Sequence, residues 1–180
     1  MAEPLDFSAP LPAFVDARKV FRQGMQVQGF LPMAALSRLA EILTDTNGRA
    51  NARLRFDFDE GRRRRIHGEV SAQVNVQCQR CLEPVSVQLS EPFDLALVSS
   101  EEMAKLLPVD IDPWLSSEDS LSLLEIIEEQ LILCMPIVNT HGSCRTAPLT
   151  RGTDSGVADE ADGRKNNPFA VLASLKSNRD

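Results

Sequence analysis

Apolar and polar residues alternate through two long stretches in the middle of the chain. Ala50, Ala52, Leu54, Phe56 and Phe58 are interleaved with Asn51, Arg53, Arg55, Asp57 and Asp59. A period of two sends the two sets to opposite faces of an extended segment, which predicts a strand buried on one face. Glu60-Gly61 supplies a turn. Ile66, Val70, Ala72, Val74 and Val76 then alternate with His67, Glu69, Ser71, Gln73 and Asn75, and two such runs joined by a short turn predict a hairpin. Val85, Val87 and Leu89, followed by Phe93, Leu95 and Leu97, predict a third long strand, kinked or broken at Pro92, which has no N–H to give to a ladder.

The flanks read differently. Residues 20–30 look extended, with Gly24 and Gly29 as turn or bulge points. Pro32 suits a first helical turn, and Met33, Leu36, Leu39, Ala40 and Leu43 follow at helical spacing, which predicts a short amphipathic helix. Residues 99–120 are acidic and irregular, with room for one helical turn at residues 101–106. Ser122 with Glu125 three residues on forms a capping box, opening a helix over residues 123–135 that Pro136 ends. Its acids Glu125, Glu128 and Glu129 fall on one side, and Leu123, Ile127, Leu131 and Cys134 on the other.

Residues 146–165 lack periodicity and read as a flexible linker. Beyond it Asn167 is an apt helix cap and Pro168 an apt first residue, with Phe169, Leu172 and Leu175 as an apolar stripe. A helix of ten residues is marginal alone in water, and a fixed structural helix has no need of a long polar tether. Pro168, Phe169, Leu172 and Leu175 are therefore expected to dock on a partner, the alternative being a helix that packs permanently on its own domain. The predicted fold is α+β: a curved antiparallel sheet with packed helices in residues 1–145, a linker at 146–165 and a C-terminal amphipathic helix at 166–180.

A chain of 180 residues with 43% hydrophobic composition can bury one core. The first twelve residues have neither a basic region nor an apolar run, and the longest nearly apolar stretch, residues 131–138, is interrupted by Pro136. A soluble cytoplasmic protein without a membrane span is expected. The net charge of −7 is unevenly spread: residues 1–82 carry +3, residues 83–145 carry −10, and the rest balance. That distribution disfavours a generally basic, sequence-independent nucleic-acid binder. No phosphate-binding loop, dinucleotide fingerprint or nucleophile elbow is present, and two histidines make a catalytic triad improbable.

Cys78-Gln79-Arg80-Cys81 carries the strongest chemical signal. Two thiolates separated by two residues at a turn can present both sulfurs to one tetrahedral ion. His141 and Cys144, just after Pro136, offer a second pair, so Cys78, Cys81, His141 and Cys144 are candidate ligands for structural zinc. Four protein ligands leave no open position for a reacting water. Two other readings stand beside it: ordinary thiols with a loop histidine, or a redox pair, although a redox pair wants a helix mouth and strand patterns flank this motif. Cys134, on the apolar side of its helix, reads as a core residue.

Arg62, Arg63, Arg64 and Arg65 occupy the predicted hairpin tip. Guanidinium groups clustered on a turn can grip phosphate, which makes these four candidate RNA contacts, with Arg53, Arg55 and Arg80 as an extension of the patch. Equally, such a run can solvate a sheet edge against aggregation. The absence of tyrosine limits any base-stacking platform. The acidic residues 101–129 are either a solvated surface or a dock for a basic partner.

Taken together, the Cys78-Gln79-Arg80-Cys81 turn between strands, the acidic-apolar helix LLEIIEEQLILCMP, the following His141 and Cys144, and the terminal NPFAVLASLK resemble the YceD-type large ribosomal RNA accumulation proteins. The resemblance covers about residues 20–176. Relatives of this type often carry cysteine where this chain has His141. The resemblance implies a noncatalytic bacterial ribosome-biogenesis factor that supports synthesis, processing or accumulation of large-subunit (23S) ribosomal RNA. Its implied partners are that RNA or the pre-ribosome. A chaperone or adaptor for a basic ribosomal protein, or a thiol-redox protein, are the rival classes.

Overall fold

The computed structural model describes residues 7–144. In chain order the elements are β1 (Phe14–Asp16), α1 (Ala17–Gln23), β2 (Gln26–Pro32), a 3-10 turn (Met33–Ala35), α2 (Ser37–Ala40), β3 (Arg49–Phe58), β4 (Arg64–Gln77), β5 (Pro84–Val98), α3 (Glu101–Ala104), β6 (Asp112–Leu115), β7 (Ser120–Ser122) and α4 (Leu123–Leu133). This is an α+β fold. The main sheet has the order β2-β3-β4-β5-β6, and β1 with β7 makes a separate antiparallel pair.

The alternation read from residues 50–76 sets the architecture. Ala52 pairs with Val70, Leu54 with Gly68 and Phe56 with Ile66, so the apolar members of both strands share one face. That face is buried: Leu54, Phe56, Ile66 and Val70 are fully enclosed. Leu123, Ile126, Ile127 and Leu131 of α4 cover it over β4 and β5, while Phe21 of α1 meets Phe56 edge-on, with 5.4 Å between ring centres. Burying a side chain the size of Phe56 or Leu131 stabilises by about 2–3 kcal/mol. Gly68 is needed in β4 because Phe93, its partner on β5, lies across it; a Cβ there would fall 2.1 Å from the ring.

Four strands of the main sheet pair antiparallel as expected, and β6 adds a parallel edge to β5. The third long strand is unbroken: Pro92 sits in register opposite Glu69, and β6 pairs with β5 only from Leu95 onward, so among the described residues β5 has no neighbour on that side for the proline to deprive of a bond. The predicted irregular acidic stretch holds two small elements. Ser100 caps the single turn of α3 through the Met103 amide, and β6 owes its four residues to pairing with β5 rather than to any local pattern.

Two flanking expectations are corrected. Residues 17–23 are helical, not extended: Ala17, Val20 and Phe21 are buried on one face, Asp16 accepts from the Lys19 amide at 2.9 Å, and Gly24 ends the helix at φ 58°. The predicted helix after Pro32 is broken at Leu36, which leaves the helical region at φ −93°, ψ 81°. The amides of Arg38 and Leu39 are instead capped by the Glu128 carboxylate at 2.7 and 3.2 Å. Glu128, expected on the polar side of α4, is therefore buried, while Leu123, Ile127 and Leu131 of the predicted apolar stripe pack as expected. The Ser122 half of the capping box is formed, with the Glu125 amide donating to Ser122 Oγ at 3.2 Å, and the helix ends at Leu133. Cys134 is half-buried against the core.

The predicted linker and the docking helix with Pro168, Phe169, Leu172 and Leu175 lie outside the described residues. Among the described residues no helix is long and apolar enough to cross a membrane.

Candidate metal centre

Strand β4 delivers Cys78 to the core side of the sheet, where its side chain is buried. A tight turn follows: the Leu82 amide donates to the Cys78 carbonyl at 2.9 Å and the Cys78 amide to the Glu83 carbonyl at 2.9 Å. Closing that turn forces Leu82 into the left-handed region at φ 65°. Both cysteines thus face the same side, and backbone amides converge on Cys78.

The second ligand pair arrives by lacing. After α4 and Pro136, the Gln79 amide donates to the Asn139 carbonyl at 2.9 Å, and Gln79 Nε2 donates to the Ile137 carbonyl at 3.1 Å. These bonds carry residues 136–139 along the turn and bring His141 and Cys144 over it. Cys78 Sγ, Cys81 Sγ, a His141 ring nitrogen and Cys144 Sγ all lie within 4.8 Å of one another, close enough to hold a metal ion. Cys78 Sγ and Cys144 Sγ are 3.9 Å apart, and Cys81 Sγ is 3.4 Å from His141 Nδ1. Two metal–sulfur bonds of about 2.3 Å opened to the tetrahedral angle separate their sulfurs by about 3.8 Å, and a sulfur from a nitrogen by about 3.5 Å. Those two separations match a tetrahedral ion of that size.

The histidine is oriented for the role. His141 Nε2 lies 3.0 Å from the Pro84 carbonyl, which can only accept. Nε2 therefore carries the proton, and Nδ1 presents its lone pair to the three sulfurs, the arrangement by which an outer hydrogen bond fixes a ligating imidazole. Electrostatics agree. The Cys78 thiol is lowered to about 5, chiefly by the Cys81 backbone amide, with the Arg80 and His141 amides adding to it against burial. The Cys144 thiol is pushed up to about 11, first by its hydrogen bond with Cys81 and then by burial and the Cys78 sulfur. One anionic sulfur is welcomed and further charge is resisted, a condition that a divalent cation relieves. All four cysteines are free thiols, and Cys78 and Cys81 sit at a strand-to-strand turn rather than at a helix mouth.

At the other end of β4 the four arginines do not act alike. Arg65 is buried and held between Asp94 and Asp59. Arg63 is held by Asp59 at 2.7 Å. Arg64 places its guanidinium 5.9 Å over the Phe21 ring. Arg62, at φ 59°, is exposed, and neither it nor Arg64 has an acidic partner among the described residues. The proposed extension is largely neutralised: Arg53 pairs with Glu69 and Arg55 with Asp57, while Arg80 sits at the metal end of β4. What sequence reasoning did not supply is the Pro84 carbonyl, the Gln79 lacing and an apolar groove beside Arg62, because each depends on register between distant segments.

A small α+β protein whose three-cysteine, one-histidine cluster ties a sheet turn to the segment after a helix is thereby defined. The family described as large ribosomal RNA subunit accumulation protein YceD matches residues 66–176, a span that includes all four cluster residues and the terminal NPFAVLASLK. The large ribosomal RNA subunit accumulation protein YceD of Haemophilus influenzae is 32% identical over 167 residues, covering 92% of this chain and 96% of the relative. The chain belongs to the YceD family. No solved structure matches it.

Proposed function

We propose that this protein is a noncatalytic cytoplasmic factor of ribosome biogenesis that supports accumulation of large-subunit (23S) ribosomal RNA, with a structural zinc ion held by Cys78, Cys81, His141 and Cys144. The observation that supports the reading is the cluster of four candidate donor atoms within 4.8 Å of one another, in a family named for ribosomal RNA accumulation. Filled in that way, the ion ties residues 136–144 to the turn after β4 and has no position left for a substrate or water. The donor chemistry of three thiolates and one imidazole favours zinc over harder ions. Contact with RNA or the pre-ribosome then falls to surfaces that this tie holds in place, and the hairpin tip with Arg62, Arg63, Arg64 and Arg65 is the candidate. Because Arg65 is already neutralised by Asp94 and Asp59, and Arg63 is held by Asp59, Arg62 and Arg64 are its least committed part.

A second reading has its own support. A cleft lined by Phe14, Trp114, Leu115, Glu118 and Glu125 carries acids and no bases, which suits a basic ribosomal protein. Two measurements test the proposal. Cells lacking the protein should show a fall in large-subunit relative to small-subunit ribosomal RNA, restored by the wild type but not by Cys78→Ser. Protein purified without chelator should contain about one zinc per chain by elemental analysis. An unchanged RNA ratio removes the biogenesis role, and metal-free folded protein removes the zinc.

A further inference from the structure

Beside the arginines of the hairpin tip lies a groove of about 400 Å³. Its floor is apolar, formed by Phe58, Leu97, Val98, Met103 and Leu106, and the charged side chains on its lining are Arg62, Arg63 and Arg64. Phe58, Met103 and Leu106 remain 51%, 50% and 81% exposed, so three large apolar side chains face water around one concavity. A soluble domain normally hides such a cluster unless something else covers it. We infer that this groove takes a single unstacked RNA base on its apolar floor while Arg62, Arg63 and Arg64 hold the phosphates on either side of it. The inference rests on the proposed role in ribosomal RNA accumulation and names the form of RNA recognised.

The chemistry of the two parts calls for this ligand. Guanidinium groups offer planar, paired donors that match phosphate oxygens, and Arg62 and Arg64 have no acid to satisfy first. Strand β3 ends at Phe58, with its ring against Phe21 at 5.9 Å between centres, so one face of the residue is anchored while half of it stays open. Aromatic and thioether surfaces accept the flat face of any base, which makes the site tolerant of sequence. A paired base hides both faces within the stack, so the groove selects single-stranded RNA over duplex. The overall charge of −7 then confines binding to this place, and the footprint is a few nucleotides.

The test uses the full-length protein and a labelled single-stranded RNA of about ten nucleotides in mixed sequence, alone or annealed to its complement, followed by fluorescence anisotropy. The single strand should bind about tenfold or more tightly than the duplex, the weight of one stacked base. Two or three phosphates should give a salt slope of roughly −2. Met103→Glu with Leu106→Glu, both at exposed positions, should weaken binding about tenfold at an unchanged urea midpoint. Arg62→Gln with Arg64→Gln should flatten the salt slope by about 1.4. Ultraviolet crosslinking of the wild type should map to the peptide that contains Phe58, which checks the site independently of any variant. Wild-type affinity in the groove variant, equal affinity for duplex, or crosslinks elsewhere would overturn the inference; the first of these is what a groove serving a protein partner would give. Absence of RNA binding while cells lacking the protein still lose large-subunit RNA would remove the groove assignment and leave the proposed function standing.

Discussion

Strand β4 is 14 residues long, about 45 Å, and its two ends solve the same problem in opposite ways. At its start, the tip of residues 59–63 closes on itself: the Arg63 amide and guanidinium both reach Asp59, four residues back. At its finish, the turn of residues 78–83 is met by His141 and Cys144, more than fifty residues further along the chain, and is laced to residues 137–139 by the bonds from Gln79. Each end also carries one non-glycine residue at positive φ, Arg62 at one and Leu82 at the other. The lesson is about what each end can afford to expose. A tip closed by its own acid leaves its remaining cations free to bind, whereas a turn completed by distant segments, with the proposed zinc between them, would commit its chemistry to holding the fold.

That contrast is broken most severely by Cys78→Ser or by chelation of the proposed zinc ion. Losing a structural metal belongs to the rare class of changes that cost about 4 kcal/mol or more, and it should release residues 136–144 first. Urea titration with hydrogen exchange would show it; a shift confined to the arginine tip would refute the division of labour. Next in size is Arg65→Gln, which removes the buried guanidinium between Asp94 and Asp59 and should cost about 2 kcal/mol, while Arg62→Gln stays within about 0.5 kcal/mol. Equal effects from the two would mean that the arginines are interchangeable after all.

Acid sharpens the comparison further. Hydrogen bonds, first from the Arg63 amide, hold the Asp59 carboxyl below the usual carboxylate range. A depressed folded value contributes stability above the unfolded pKa of about 3.9 and loses it as pH falls through the folded value. The Arg63 amide should therefore gain mobility only below about pH 4, and Asp59→Asn should remove that pH dependence. The smallest effect is expected from Leu82→Gly and Arg62→Gly. Each relieves a left-handed residue at the expense of extra freedom in the unfolded chain, for a net gain of about 0.5 kcal/mol seen in the urea midpoint. A loss at Leu82 alone would show that its side chain is held by contacts as well as by the turn.

Much of this was legible in the sequence wherever the cause was local. Strands β3, β4 and β5 follow from alternation sustained over many residues, and the candidate cluster of three cysteines and one histidine from two short-spaced pairs. The capping box at Ser122 is equally local. Where register decides, the letters are silent. Four identical arginines give no hint that one of them is buried, since Asp94 meets Arg65 only through the pairing of β4 with β5. Glu128 looks like any surface acid of an amphipathic helix until Arg38 and Leu39 are brought to it from ninety residues away. Seven residues of α1 are too few for a period to outweigh the extended look of Val20 and Phe21, and tertiary packing on β3 settles the matter.

The small ribbon of β1 and β7 bears on how the chain is made. Phe14 pairs with Ser122, so partners on the order of a hundred residues apart join in three rungs, and each strand runs directly into a helix. During synthesis the N-terminal strand emerges long before its mate, and the entropy of closing so large a loop must be met before those few bonds reward it. The hairpin of β3 and β4 has no such delay. The N-terminal edge is thus the last part of the sheet layer to be secured, and a nascent chain halted before residue 120 would carry a formed hairpin beside an unpaired leading strand.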